Sequence, residues 1–472
     1  MIGSAPGTPI TLAAPPRRAN GAAHVSRVAL VTLGCAKNLV DSEIMAGLLA
    51  HGGFAMTADA GAADLAVVNT CAFIGPSQKE SIDRILELAA LKREGTIKGL
   101  IVAGCMAQRY QADLMREIPE IDAVVGTGQV EAIARVAHRV HRAPGQSILE
   151  VGPPGTAIDL ASHRAVSTPR HLAYLRIADG CDFRCTFCII PALRGDLRSR
   201  PLESIVQEAR RLAESGTKEL LLIAQDSTSY GEDLYGSARL PELLRALCKV
   251  DGIEWVRVHY THPKTWTDEL ISAFEEESKI CRYVDIPLQH MTDPMLRRMR
   301  REVTRSDMEK LFEKIRRRLP DVAIRTHFIV GFPGETEEDF EALLETVQRE
   351  SFDHVGCFAY SREDGTPAAR MKEQVPERTK LERRRRLMAA QREMAARVWG
   401  RWVGREAEVL IDGPVPEKPG TWVGRVEQQG YEVDGVTHVR AGEGRGPLAA
   451  GSFARVAIRK ARHYDLEGEV LA

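Results

Sequence analysis

No apolar run in this chain of 472 residues approaches the ~20 residues that cross a bilayer, so a helical membrane span is excluded. The first 24 residues are rich in Ala, Pro and Gly and carry Arg17 and Arg18, but they lack the apolar core and cleavage site of an export signal; they read as a disordered leader. Charge of one sign is missing as well. The 64 Lys+Arg almost cancel the 65 Asp+Glu, so no global positive field advertises nucleic acid and no acidic excess marks a solvated tail. Internal repeats and heptad seams are absent, which leaves a monomer as the simplest state. Nine cysteines is an odd number, and six of them stand at spacings suited to metal ligation rather than to a disulfide framework. Such thiols call for a reducing compartment, and the expected location is the cytoplasm.

What is present divides into several stretches. From residue 25 to 143, short apolar runs (RVALVTLGC, DLAVVNTC, GLIVAGC, IDAVVGTG) alternate with helical patterns and predict an open parallel α/β sheet. Residues 144–169 turn to Pro, Gly, Ser and His without sustained period and read as a linker. Residues 170–399 carry six strand-like runs between amphipathic segments: LAYLRIADG, ELLLIAQD, WVRVHYTHP, YVDIPLQ, AIRTHFIVGFPG and HVGCFAYS. Six β-α repeats predict a partial (β/α)6 barrel resembling an incomplete TIM barrel, with its chemistry at the strand C-termini. The run Arg383 to Arg386 reads as a solvated helix face. Residues 400–472 change to short β-like runs with turn signals, as in a small β-barrel.

The sharpest chemical signal is Cys181-x-x-x-Cys185-x-x-Cys188, directly after a predicted strand. Three thiolates hold three corners of a four-iron cluster and leave one iron open to the amino and carboxylate groups of a methionine-derived ligand. Zinc is the bland alternative, but zinc prefers four ligands and no fourth Cys or His stands nearby at finger spacing. A second constellation emerges only when the first domain is read as a sheet. Cys35, Cys71 and Cys105 each end one predicted strand, 36 and 34 residues apart, and strand C-termini of an open parallel sheet share one edge. Three small thiols there either pack as core or converge on a second cluster, again with an open iron able to take an exogenous sulfur. Cys248, Cys281 and Cys357 lie within helical or strand patterns and read as core.

The Cys181 motif resembles the signature of the radical S-adenosylmethionine superfamily. That resemblance implies that Phe187 packs beside the nucleoside and that Gln225, Asp226, Arg325 and Gly331 line the cofactor pocket. The strand-end cysteines, the radical motif and the β-rich C-terminal region together resemble the radical S-adenosylmethionine methylthiotransferase family over nearly the whole chain. By resemblance, the fold is a methylthiotransferase N-terminal domain, a radical S-adenosylmethionine barrel and a TRAM domain. The implied cofactors are two 4Fe-4S clusters, bound by Cys35, Cys71 and Cys105 (auxiliary) and by Cys181, Cys185 and Cys188 (radical), with S-adenosylmethionine as both methyl donor and radical source. Flavodoxin or ferredoxin is the implied electron donor, and the sulfur donor is unspecified. The stretches LGCAKNLVDSE, IAQDSTSYG, DIPLQH, RTHFIVGFPGETEEDF and FAYSREDGTPAA look like the branch that modifies an aspartate of the twelfth protein of the small ribosomal subunit.

Two other readings stay open at this level. The sister branch modifies adenosine in transfer RNA, and an RNA-gripping domain should carry excess positive charge. Arg401 to Ala472 instead holds 10 Lys+Arg against 11 Asp+Glu, although Arg455, Arg459, Lys460 and Arg462 would form a patch if segregated. The remaining reading is a non-catalytic, metal-stabilised ribosome-binding protein.

Overall fold

The computed structural model describes residues 25–154, 164–441 and 447–471; the expected leader lies outside them. The chain opens with a six-stranded parallel sheet made of β1 (Arg27–Thr32), β2 (Ala55–Thr57), β3 (Leu65–Thr70), β4 (Gly99–Gly104), β5 (Ala123–Val125) and β6 (Ile148–Glu150). Their spatial order is β2-β1-β3-β4-β5-β6. Every residue of β3 and β4 is buried, because helices Gly75–Arg93 and Cys105–Tyr110 pack on one face and Ala36–His51 and Ile133–Arg142 on the other. Double-sided burial explains why these strands read as unbroken apolar runs. The chain leaves β1 for β2 on one side and then crosses to β3 on the other. That reversal is the topological switch point of an open α/β sheet, where a crevice opens at the strand C-termini.

Strand β6 falls inside the stretch expected to be linker, and it corrects that expectation. Three residues suffice to extend the exposed edge of β5, and the Pro and Gly around them mask so short a signal.

The next unit begins with β7 (Leu172–Arg176), followed by a two-residue ladder of β8 (Ala178–Asp179) with β9 (Arg198–Ser199). Strands β10 (Glu219–Ile223) and β11 (Trp255–Val258) complete one parallel trio with β7; β12 (Tyr283–Asp285), β13 (Ala323–Val330) and β14 (His354–Ala359) form another. A parallel bridge from Val256 to Ile280 joins the two trios into a partial barrel. Outward residues Ala173, Leu175, Leu220 and Leu222 pack beneath the barrel's helices, whereas inward Leu172, Tyr174, Leu221 and Ile223 meet Val40 and Ile44. A helix of the first unit therefore lines the inner face of the barrel.

The last unit is a closed barrel of β15 (Glu406–Pro414), β16 (Thr421–Arg425), β17 (Thr437–Arg440), β18 (Phe453–Arg462) and β19 (Asp465–Val470). It sits against the N-terminal ends of the larger barrel's strands. Glu219, first in β10, is bound by Arg425 at 2.6 Å and Arg257 at 2.8 Å, and Trp255, first in β11, meets Phe453 edge to face. With that end covered, the strand C-termini are left to face the first unit. Among the described residues, no helix is long and apolar enough to cross a membrane.

Candidate active site

Cys35, Cys71 and Cys105 stand at the C-terminal ends of β1, β3 and β4, three adjacent strands at the switch point. Two glycines permit this. Gly34 has φ +95°, and a Cβ there would lie 2.8 Å from Cys71 Cβ and 3.2 Å from its Sγ; Gly104 has φ +90°, and a Cβ would meet Asn69 and come within 2.8 Å of the Thr70 carbonyl oxygen. Only glycine allows both the left-handed turn and the close approach. Asn38 ties the edge together by donating to the carbonyl oxygens of Leu33 and Thr70, and Ser81 brackets Cys71 by accepting from its N–H and donating to its carbonyl oxygen. Burial pushes the Cys71 thiol up to about 12 and the Cys105 thiol up to about 11. Such thiols stay protonated at neutral pH unless a metal displaces the proton.

The local trio lies in the loop after β8. Cys185 receives a hydrogen bond from the Arg301 guanidinium at 3.5 Å, and Cys188 Sγ accepts from the Ile190 N–H at 3.5 Å. Donors aimed at sulfur are what a bound cluster uses to set its charge and potential. Burial pushes Cys181 and Cys188 up to about 12. Among the described residues, no three His, Cys, Asp or Glu side chains are placed to ligate one metal ion. Three thiols apiece, with no fourth Cys or His beside them at finger spacing, are the donor chemistry of an iron–sulfur cluster rather than of a four-ligand zinc site.

Around the Cys181 loop, buried polar atoms stand without partners: Gln225 Oε1, Asp226 Oδ2, His262 Nε2 and Arg301 Nε. Buried unsatisfied groups are rare in folded proteins, and a cluster of them at a barrel mouth fits a polar ligand. Phe183 stacks on His262 at 3.8 Å, and burial drives that imidazole down to about 2, keeping it neutral.

Arg194 joins the two trios. It ends the short helix Ile190–Arg194, which starts two residues after Cys188, and its side chain is 2% exposed. Its guanidinium donates to Asn38 Oδ1 and Asp41 Oδ2, each at 2.8 Å, approaches Cys105 Sγ at 3.8 Å, and reaches Asp179 at 3.2 Å. Burial alone would raise the Asp179 carboxyl, but Arg194 and Arg176 beside it hold it below the usual carboxylate range. A further bond, from Arg109 to Glu363 at 2.8 Å, docks the segment after β14 onto the first unit.

The residues singled out from sequence fare differently. Gln225 and Asp226 lie at the C-terminal end of β10, Gln225 donating to Asp179 and Asp226 accepting from Thr228. Phe187 is half-buried against Met295, Met299 and Phe332. Gly331, φ +71°, ends β13, where a Cβ would strike Lys380. Arg325 requires correction as a pocket residue. It lies five residues before the end of β13, and its guanidinium is engaged by Asp285 at 3.1 Å and Asp434 at 3.2 Å, so it locks the C-terminal barrel to the larger one. Arg383 is likewise no solvated residue: it is buried and bonded to Glu335 and Glu337. In the C-terminal barrel, three of the four cations of the conditional patch, Arg455, Arg459 and Arg462, pair with Glu406, Glu469 and Glu467, which among the described residues leaves Lys460 alone of the four to supply unpaired charge. Sequence reasoning missed Asn38, Arg194 and Arg301; a charged residue closing the apolar run CIIPALRG was the available hint for Arg194.

Comparison with known proteins gives a consistent result. Residues 175–347 match the radical SAM superfamily, residues 27–126 the uncharacterized protein family UPF0004, and residues 403–471 the TRAM domain. The ribosomal protein uS12 methylthiotransferase RimO of Lachnoclostridium phytofermentans is 45% identical over 442 residues, covering 94% of this chain and 99% of that one. Its counterpart in Symbiobacterium thermophilum is 48% identical over 443 residues, 94% of this chain and 90% of that one. Among solved structures, the radical S-adenosylmethionine methyltransferase TsrM from Kitasatospora setae, with cobalamin and a 4Fe-4S cluster bound, has a TM-score of 0.51 at 15% identity, covering 85% of this chain and 81% of that one. That last likeness is one of fold alone.

Proposed function

The chain belongs to the RimO family of radical S-adenosylmethionine methylthiotransferases, and we propose that it replaces a β-carbon hydrogen of an aspartate in ribosomal protein uS12 with a methylthio group. The observation that carries this reading is the meeting of two three-thiol edges, one from a sheet and one from a barrel mouth, through Arg194. Two chemistries, radical generation and sulfur delivery, need two such edges on one gap.

Cys181, Cys185 and Cys188 hold one four-iron cluster and Cys35, Cys71 and Cys105 a second. When bound, the first supplies reductive cleavage of S-adenosylmethionine and the second an open iron for the sulfur to be transferred. The protein's own part is placement. The Arg301 guanidinium and Ile190 N–H donate to sulfur, stabilising charge on the Cys181 loop. Gln225, Asp226 and His262 offer their unpaired atoms to the polar groups of the cofactor, with Phe187 and Gly331 bounding the pocket. Arg194 fixes the distance between the two edges, and holding reacting groups in register supplies most of the advantage such a site has over solution. We assign residues 25–143 to sulfur delivery, 170–399 to radical generation and 400–472 to bracing the barrel from below, with a flavodoxin or ferredoxin as electron donor and a monomer as the working unit. A transfer-RNA substrate finds less support, since the C-terminal barrel pairs Arg455, Arg459 and Arg462 with glutamates.

The test is anaerobic incubation of reconstituted enzyme with S-adenosylmethionine, reductant, a sulfide source and a peptide carrying the uS12 aspartate loop. Mass spectrometry should find one S-methyl group in place of hydrogen on that aspartate. A product on transfer RNA and none on the peptide would overturn the substrate assignment.

A further inference from the structure

Lys37 occupies the first turn of helix Ala36–His51, two residues after Cys35, and is 7% exposed. Its Nζ lies 3.2 Å from the centroid of the Tyr260 ring, a residue beyond the C-terminal end of β11. The ammonium therefore sits where the sheet edge meets the barrel mouth. Among the described residues, it has no ion-pair partner, and the surrounding carboxylates are engaged elsewhere. Asp41 is bonded by Arg176 and Arg194, Asp179 by Arg194, and Asp285 by Arg325. Apart from the Cys35 sulfur close by, no negative group among the described residues is left free to face this buried ammonium, an expensive arrangement, and the helix N-terminus beneath it adds further positive potential. A cation–π contact attracts the ammonium without neutralising it. Tyr260 itself is held at φ +59° with its N–H bonded to Asp285, a strained conformation of the kind retained at functional sites.

We infer that Lys37 is the anchor for the side-chain carboxylate of the substrate aspartate, holding the adjacent β-carbon between the two thiol edges. This rests on the aspartate-modifying reading above and adds a specificity-determining residue to it. The chemistry matches on both sides: a buried ammonium with no free carboxylate beside it takes an anion, and of the carboxylates in a substrate loop, the one that must lie between the edges is that of the modified residue. An asparagine in its place keeps the shape and loses the charge.

The experiment measures binding of two fluorescent peptides, one with the target aspartate and one with asparagine, to anaerobically reconstituted wild type, Lys37→Met and Lys37→Arg. Iron content and peptide-independent deoxyadenosine formation are followed alongside. Wild type should prefer the aspartate peptide by about tenfold or more, the scale of a desolvated charge pair. Lys37→Met should lose that preference with its iron content and deoxyadenosine formation unchanged, and Lys37→Arg should retain it. An undiminished preference in Lys37→Met would overturn the inference. So would loss of iron or of deoxyadenosine with the preference intact, which would make Lys37 a counter-charge to the Cys35, Cys71 and Cys105 trio or to the cofactor. Equal loss of preference in Lys37→Arg would point to packing on Tyr260 instead. If wild type modifies the aspartate peptide while Lys37→Met still discriminates, only the role of Lys37 falls. If wild type leaves the peptide unmodified, the aspartate reading falls and takes this role with it.

Discussion

The two thiol trios reach similar ends by opposite means. Cys181, Cys185 and Cys188 lie within eight consecutive residues, so one loop and two hydrogen bonds to sulfur place them. Cys35, Cys71 and Cys105 span 71 residues, and their convergence depends on three strands in register, two glycines at positive φ and the cross-links made by Asn38. The first trio is a property of local chain, the second a property of the fold. Damage to packing should therefore cost the second trio its metal long before the first.

The largest effect should come from the thiols themselves. Replacing Cys181, Cys185 and Cys188 together by alanine should reduce deoxyadenosine formation to background. The same change at Cys35, Cys71 and Cys105 should leave deoxyadenosine and eliminate methylthio product, measured by chromatography of one reaction. Equal loss from a folded second variant would break the division between the trios.

Next in size is Arg194→Met. It takes from Asp41 and Asp179 their shared cation and leaves Arg176 as the main remaining counter-charge, so the cost falls toward the lower end of the about 3–5 kcal/mol for breaking a buried pair. Urea unfolding should show that loss, with iron falling at the strand-end trio first. Gly104→Ala is expected to cost less, about 1–3 kcal/mol from strain at positive φ, and still to deplete iron from that trio, because the new Cβ presses on Asn69 and Thr70.

The acid limb separates these effects further. The Asp179 carboxyl is held below its unfolded value near 3.9, so its stabilisation is complete at neutral pH and disappears as pH falls through about 4 toward the lower folded value. Metal-free wild type should lose stability over that window more steeply than Arg194→Met, in which Arg176 alone keeps a weaker linkage; parallel limbs would show that Arg194 does not hold Asp179 down. The smallest effect belongs to the exposed Arg459, paired with Glu469. Arg459→Ala should change stability by no more than about 0.5 kcal/mol and leave product yield unaltered.

This contrast also explains what was legible in the sequence. The local motif is visible without a fold. The strand-end trio became visible once GLIVAGC and DLAVVNTC were read as strands, because a register of β-α units carries each cysteine to the same edge. The glycines before Cys35 and Cys105 give no sign in one dimension that the Cβ positions they leave empty are already occupied. Short elements such as β2 and β6 escaped because three residues hold no period, and Arg325 was misplaced because a guanidinium bound to Asp434 reads, in one dimension, like any arginine on a barrel strand. Arg194 and Lys37 were missed for a related reason. Their meaning lies in which carboxylates they hold, or do not hold, across distances of tens to hundreds of residues.

The most direct measurement is iron per chain after anaerobic reconstitution of wild type and of the variant lacking Cys35, Cys71 and Cys105. Two four-iron clusters predict about eight irons in wild type and about four in the variant. A wild-type plateau near four, unchanged by removal of the strand-end thiols, would contradict the account at its centre.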